Sequence, residues 1–493
     1  MKFNFGPWEP DAAGVDAGVM LVAKNVWPSK VGYIPIPSLD GISIDELPAK
    51  CIGLAFARTS AGGWVIFAGT TTNLYKFESN AWVEYTRVSG GDYAVPTDDY
   101  WSFTQFGSKL IAVNIADDPQ VIDVDTGATA FSALGGSPPR ARYVAVVGDF
   151  VVLASLSSSD RKQRNSAIND SAGWTVGTNL CDEQEFPDGG RITGLAGGEN
   201  GYTVQEKSIR RMIFQPGSDI AFRYERVEAE HGAAAGYSLA STANTIFFLA
   251  NDGFYSFNQN GLVPIGAQRV NKWFRANCDA SRYFAVIAFA DPFAPRVGWA
   301  FYNAAGSTNF DRVIWYDWQL DRWSYAEMEA QFWSSLVTAG VTLEDLDVYG
   351  DIDGGGIPYP FDSRVWEGGA PVIGAVSSSG TMSFLEGGLP LAAVFASSPL
   401  RLNPGYRSKE FEIEPLGVLH DVAPTLRIGK RENTQVAQTY TSATAPSSVT
   451  GIWRMTASGR VHDFEVTLTQ SSGTNWEHMQ GLDILAARSA GMK

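Results

Sequence analysis

The chain has 493 residues, among them 51 Gly, 24 Pro and 12% aromatics, and its 53 acidic against 37 basic residues give a formal charge of −16. That balance excludes a surface built to grip nucleic acid through its phosphates, which needs clustered cations to gain from counterion release. The turn-rich, aromatic composition suits pleated sheets rather than long helices, so an all-β protein with small helical inserts is expected.

The first residues, Met1 to Trp8, lack the apolar core of a signal peptide, and no run approaches the length of a membrane span. A protein made in the cytoplasm with no membrane span is expected. Residues 1–50 are rich in Pro, Gly and Trp and show strand character only near Val19 to Val26. Such a segment is expected to be extended and to lie along a neighbour.

From about residue 51 to residue 340 a short unit recurs: an apolar strand, a turn marked by Gly or Asp, and a second strand rich in aromatics. It appears as Trp64 to Gly69 with Leu74 to Phe77, and as Leu110 to Asn114 with Gln120 to Val124. A third copy runs from Ile246 to Ala250 and then Phe254 to Phe257, joined by Asn251-Asp252-Gly253, where Asp-Gly favours a primed hairpin turn. A late copy is Val297 to Tyr302 with Val313 to Trp318. A lone hairpin with two apolar faces is marginal in water and must be sandwiched between copies of itself. Propeller blades meet that need with about 40 to 50 residues each, so the region has room for roughly six or seven blades. Stacked β-sandwiches are the rival, but the repeat runs too long for one sandwich. The best helical period, Arg269 to Phe274, and a second at Thr342 to Leu346 are both short.

Within this region the chemistry-bearing residues are scattered. The basic clusters Arg161-Lys162-Gln163-Arg164 and Arg210-Arg211 read as solvated edges, and the acidic ones, Asp117-Asp118 and Asp182-Glu183 with Glu185, as polar turns. Asn169-Asp170 with Gly173-Trp174 departs from the Asp-box spacing of sugar-cleaving propellers and does not recur. Gly194 to Gly198 lacks the Lys-Ser or Lys-Thr of a phosphate loop. Cys51, Cys181 and Cys278 are too far apart for zinc-ligand spacing and read as buried thiols, and His231, His420, His462 and His478 are equally dispersed. No catalytic, cofactor or metal residue is assigned, no cofactor is expected, and no hydrolytic activity is expected.

Residues 341–394 read as a linker with insert strands. It includes Asp351 to Gly356, whose alternating Asp lacks the remaining ligands of an EF-hand loop. Strands return near Val372, and 395–493 reads as a smaller C-terminal β-domain in which Val461 to Leu468 alternates as a half-buried strand should.

Several of these segments occur together in a recognisable order. Ser166 to Asp170 with Trp174, Phe186-Pro187-Asp188-Gly189-Gly190-Arg191, Gly197-Gly198-Glu199, Gln205 to Met212, and Asp252 to Tyr255 with Pro264-Ile265-Gly266 follow one another. Gly6 to Asp11, Ala23 to Val26 and Gly32 to Pro35 precede them, and Gly459 to His462 and Trp476 to Gly481 come after. In this order the chain resembles the tail hub or nozzle proteins of short-tailed bacteriophages, also described as packaged-DNA stabilisation proteins. The resemblance implies a propeller-based structural virion protein of the phage tail. Its subunits would form a sixfold homo-oligomeric ring below the head-to-tail adaptor of the portal complex, anchor tail fibres or a distal plug, and let double-stranded DNA pass without reading its sequence. It also implies assembly contacts at Trp8 and Asn25 in the N-terminal segment and at Arg210 and Arg211. A tail-associated propeller that binds or hydrolyses glycans is the alternative.

Overall fold

The computed structural model describes the chain except residues 13, 243, 304–305, 339–362, 364–365, 405, 421, 423, 470–474 and 490–493. The expected hairpin units are present, and each belongs to a four-stranded antiparallel blade. Blade 1 is Gly53–Arg58, Trp64–Gly69, Leu74–Glu78 and Ala81–Glu84; blade 2 is Ser102–Phe106, Lys109–Val113, Gln120–Asp123 and Ser132–Ala133. Blade 3 is Ala141–Val147, Phe150–Leu156, Ser159–Asn165 and Asp182–Glu185; blade 4 is Ile192–Ala196, Gly201–Gln205, Ile209–Phe214 and Phe222–Glu228. Blade 5 is Ala240–Ser241, Ile246–Leu249, Phe254–Asn258 and Gly261–Pro264. The first strand of each blade, or for blade 5 the residues just before it, borders a shared axial cavity, so the sheets form a β-propeller.

The hairpin at Asn251-Asp252-Gly253 forms, but not through a two-residue primed turn. Leu249 pairs with Phe254, the link is residues 250–253, and the Ala250 N–H donates to the Gly253 carbonyl at 2.8 Å. Gly253 is required for another reason: at φ 147° its backbone lies where a Cβ would sit 1.9 Å from the Asn271 amide. Asn271 begins the helix Asn271–Asn277, which falls where the short helical period was read.

Blades 6 and 7 share one strand. Blade 6 is Ile287–Ala290, Arg296–Phe301, Phe310–Asp317 and the first half of Arg322–Val337. The second half of that 16-residue strand turns inward and becomes the innermost strand of blade 7, pairing with Pro371–Ser377 and through it with Met382–Phe384. The outermost strand of blade 7 is Asp40–Gly41, from the other end of the chain. The described residues thus form seven blades, closed by an N-terminal strand. Gln331 marks the changeover: the register shifts there, its side-chain carbonyl accepts the Cys51 N–H at 2.7 Å, and blade 7 is thereby fastened to the entry of blade 1. The blades reach past residue 340 because 371–384, read as insert strands, belong to blade 7.

The rest of the chain folds into a second β-domain of two sheets. One sheet contains Val26–Pro28, Tyr33–Pro35, His478–Ser489, Ser408–Val418 and Trp453–Gly459, with Lys2–Asn4 paired to His478–Ser489. The other contains Met20–Lys24, Ala393–Ser397, Val461–Leu468, Pro424–Arg431 and Thr439–Tyr440. The N-terminal segment, expected to be extended toward a neighbour, is therefore woven into its own chain: its alternating apolar residues Phe3, Phe5, Trp8, Met20 and Tyr33 are buried there. Lys24 pairs in parallel with Tyr325 of blade 6, and buried residues of both domains pack as one continuous core.

Arg322 ties this joint together. Its Nη1 donates to the Ser29 and Gly32 carbonyls at 2.7 and 3.2 Å, and its Nη2 to those of Gly6 and Phe5 at 2.6 and 3.3 Å. The guanidinium also lies 4.9 Å from the Tyr33 ring centre. Only a planar fork reaches several acceptors in this way. Arg322→Lys is expected to keep the charge yet lose about 2 kcal/mol, because at least one charge-assisted bond goes unmade. Chemical denaturation checks it, and an unchanged midpoint contradicts the role assigned to the fork.

Candidate functional site in the propeller channel

Six innermost strands and the segment 236–239 ahead of the innermost strand of blade 5 surround a cavity of about 560 Å³. Tyr100, two residues ahead of the first strand of blade 2, lies at the end where those strands begin and packs against lining residues. Its ring packs edge-on against Tyr237 at 4.8 Å and against Phe332 of blade 7 at 5.5 Å, and its hydroxyl donates to the Ala285 carbonyl at 2.9 Å, ahead of blade 6. Asp99 is 3% exposed and fastens this aromatic cluster. It accepts the Tyr237 hydroxyl at 2.5 Å and Arg142 Nη1 of blade 3 at 2.8 Å. A second layer lies beside it: Arg282 pairs with Asp98 at 2.7 Å and stacks 3.4 Å from the Tyr302 ring centre. Burial, reinforced by Asp99, pushes the Tyr143 and Tyr237 hydroxyls far above the usual range, and burial does the same to Tyr100. All three stay protonated and do not act as bases; Tyr100 and Tyr237 serve as donors. Further along the inner strands, Gln105 bridges to both backbone groups of Arg58 at 2.9 and 2.7 Å, joining blades 1 and 2.

The residues expected to carry assembly are occupied within the chain. Trp8 is fully buried; its Nε1 donates to the Leu21 carbonyl at 3.1 Å, and its ring meets Trp273 and Tyr325 at 4.8 and 5.1 Å. Asn25 adopts φ 60°, accepts the Glu327 N–H at 2.8 Å and donates to the Ala392 carbonyl at 2.8 Å. Both belong to the joint between the two domains and present no surface to a neighbour. Arg210 lies over Phe186, donates to Gln205 Oε1 at 2.9 Å and pairs with Asp188 at 2.5 Å; Arg211 pairs with Glu225 at 2.6 Å.

The acidic candidates are likewise engaged. Burial raises the Glu183 carboxyl, but Arg164 and Lys162 beside it outweigh that and hold it below the usual range. Asp117 is paired with Arg87 at 3.0 Å and Asp118 with Arg140 at 2.7 Å. Trp174 is buried with its Nε1 bonded to the Ser171 carbonyl at 2.8 Å, so the Asn169-Asp170 turn with its Trp is a packing element. Among the described residues no group of three His, Cys, Asp or Glu side chains is placed to hold a metal ion, and no helix is long and apolar enough to cross a membrane. The three cysteines are buried free thiols, with Cys51 and Cys278 pushed up to about 12 by burial. The segments Thr342 to Leu346 and Asp351 to Gly356 lie outside the described residues.

His231 sits 3.7 Å from both Glu228 and Asp252, across blades 4 and 5. His462 is fully buried, its Nε2 at 3.1 Å from the Ala457 carbonyl, and burial lowers its pKa. The fold therefore buries the neutral ring, and the unfolded chain takes up the proton first. Stability from this group is complete above the ordinary value near 6.5 and is lost as pH falls below it. Melting of the wild type is expected to drop more between about pH 7.5 and 5.5 than that of His462→Gln. Equal drops contradict the assignment.

No family model matches this chain, and no curated protein matches it. Among solved structures, the chain is similar to the computationally designed Ika8 protein at 11% identity, over 77% of this chain and 100% of that one, with a TM-score of 0.38. It is also similar to the N-terminal domain of Nup159 at 9% identity, over 74% and 98%, with a TM-score of 0.39. For the C-terminal WD40 domain of Sif2 the values are 11%, 74%, 98% and 0.35. Likeness at this level carries no function across.

Proposed function

We propose that this chain is a non-enzymatic structural subunit of the tail hub or nozzle of a short-tailed bacteriophage, a virion protein assembled as a sixfold ring below the head-to-tail adaptor. In this reading it lines the DNA exit, helps retain packaged DNA and anchors tail fibres or a distal plug. The observation that supports it most is what the shared motifs do. The Asp188-Gly189-Gly190 turn and the Gln205 to Arg211 segment lock onto each other: Gln205 Nε2 donates to the Asp188 and Gly190 carbonyls at 2.8 Å each, and its Oε1 accepts from Ser208 and Arg210. A Cβ on Gly189 would meet Ser208 Oγ at 2.3 Å, and one on Gly190 would meet Glu206 Oε2 at 2.4 Å. The order of segments that carries the resemblance thus corresponds to a self-satisfied mechanical clamp in blade 4, as a structural subunit requires.

Because a cavity of about 560 Å³ is too small to admit duplex DNA, the DNA path in this reading runs between subunits. Of the local basic residues, Lys162, Arg164, Arg191, Arg210, Arg211 and Arg226 are each paired with a carboxylate of the same chain, and Arg161 donates to the Pro187 carbonyl at 3.3 Å. The free chain is therefore expected to bind a short DNA duplex more weakly than about 100 μM at physiological salt, with almost no salt dependence. Fluorescence anisotropy over a salt series checks it. Micromolar binding that weakens steeply with salt contradicts a conduit that must release DNA.

A further inference from the structure

We propose that the propeller channel is a binding site for an uncharged polyhydroxylated ligand, a mono- or disaccharide. This stands whether or not the chain is a tail subunit. The cavity, about 560 Å³, is of the size that small-ligand sites have. Its lining contains no Asp, Glu, Lys, Arg or His. Asp99 and Arg142, beside the lining residues Tyr237 and Tyr143, already neutralise each other. An ionic ligand would lose its hydration there with no countercharge to replace it.

A purely apolar ligand fits no better, because the lining carries unmet hydrogen-bonding groups. The Tyr143 hydroxyl stands against Gly236 on the lining and has no hydrogen-bond partner among the described residues. Thr104 adds a further hydroxyl. Between these groups stand the rings of Phe56, Phe103 and Phe332. Hydroxyls for the orphan donors and C–H faces for the rings together describe a neutral sugar.

Saturation-transfer NMR on the full chain with glucose, N-acetylglucosamine and maltose, each at millimolar concentration, tests this. Transfer to at least one sugar is expected, abolished in Thr104→Trp, which fills the cavity. Tyr143→Phe is expected to weaken binding about fivefold, the worth of one hydrogen bond, with melting unchanged. No transfer to any of the three sugars, or transfer that survives Thr104→Trp, overturns the proposal. If Thr104→Trp does not fold, undiminished affinity in Tyr143→Phe overturns it instead.

Discussion

Removing residues 1–30 is expected to abolish the folded second domain, not merely to trim an arm. The deletion takes Lys2–Asn4, Met20–Lys24 and Val26–Pro28 out of two sheets and strips Phe5, Trp8, Met20 and Val26 from the core, all of them buried. At about 1.5 to 3 kcal/mol for each large apolar side chain, these four alone account for roughly 6 to 12 kcal/mol. That is comparable to the whole stability of a typical domain. Arg322 would also lose the Phe5, Gly6 and Ser29 carbonyls and be left as a poorly partnered charge. Read as an extended segment, residues 1–30 should instead be dispensable for folding and needed only for assembly. Near-UV circular dichroism and limited proteolysis separate the two: loss of the tertiary signal with cleavage after residue 390 is expected, and a soluble truncated chain melting with the full-length protein contradicts the woven joint.

Phe248→Asp is expected to leave almost no soluble protein. Phe248 is fully buried between blades 4 and 5, stacked 6.0 Å from Tyr255 and packed in one apolar cluster with Val204 and Ile209. A carboxylate there has no cation or donor to meet it, and the lost apolar contact adds to the penalty, so the cost is on the order of 5 kcal/mol or more. Val263→Asp is the control: it lies on the outer strand of the same blade, exposed, and is expected to shift stability by no more than about 0.5 kcal/mol. Wild-type yield and melting in Phe248→Asp would place that strand at the surface.

The hairpins were legible because each carries its own signal: apolar runs broken by Gly, Asp or Asn turns, as at Trp64 to Phe77 and Ile246 to Phe257. The blade count was legible only as a range. Blade 7 takes a strand that blade 6 also uses and closes with Asp40–Gly41, more than 300 residues away from its partner Met382–Phe384. No local pattern reports such a pairing, because the two-residue closing strand has no periodicity to detect. The N-terminal segment misled for a related reason. Its strands are three to five residues long and bury their side chains against the C-terminal strands, so the alternation that would mark them is cut short. Arg210 and Arg211 drew attention as a basic pair, but their partners Asp188 and Glu225 stand 22 and 14 residues away and meet them only across blade 4. The channel left no motif either. Tyr100, Tyr143, Tyr237 and Phe332 come from four blades, and only closure of the ring brings them to one axis.

Labelling virions with gold-conjugated antibodies against this chain, and imaging them by electron microscopy, tests the proposed role most directly. The structural-subunit reading predicts label at the single tail vertex of DNA-filled particles, below the head-to-tail adaptor. Infectious, DNA-filled virions that contain none of the chain would contradict it.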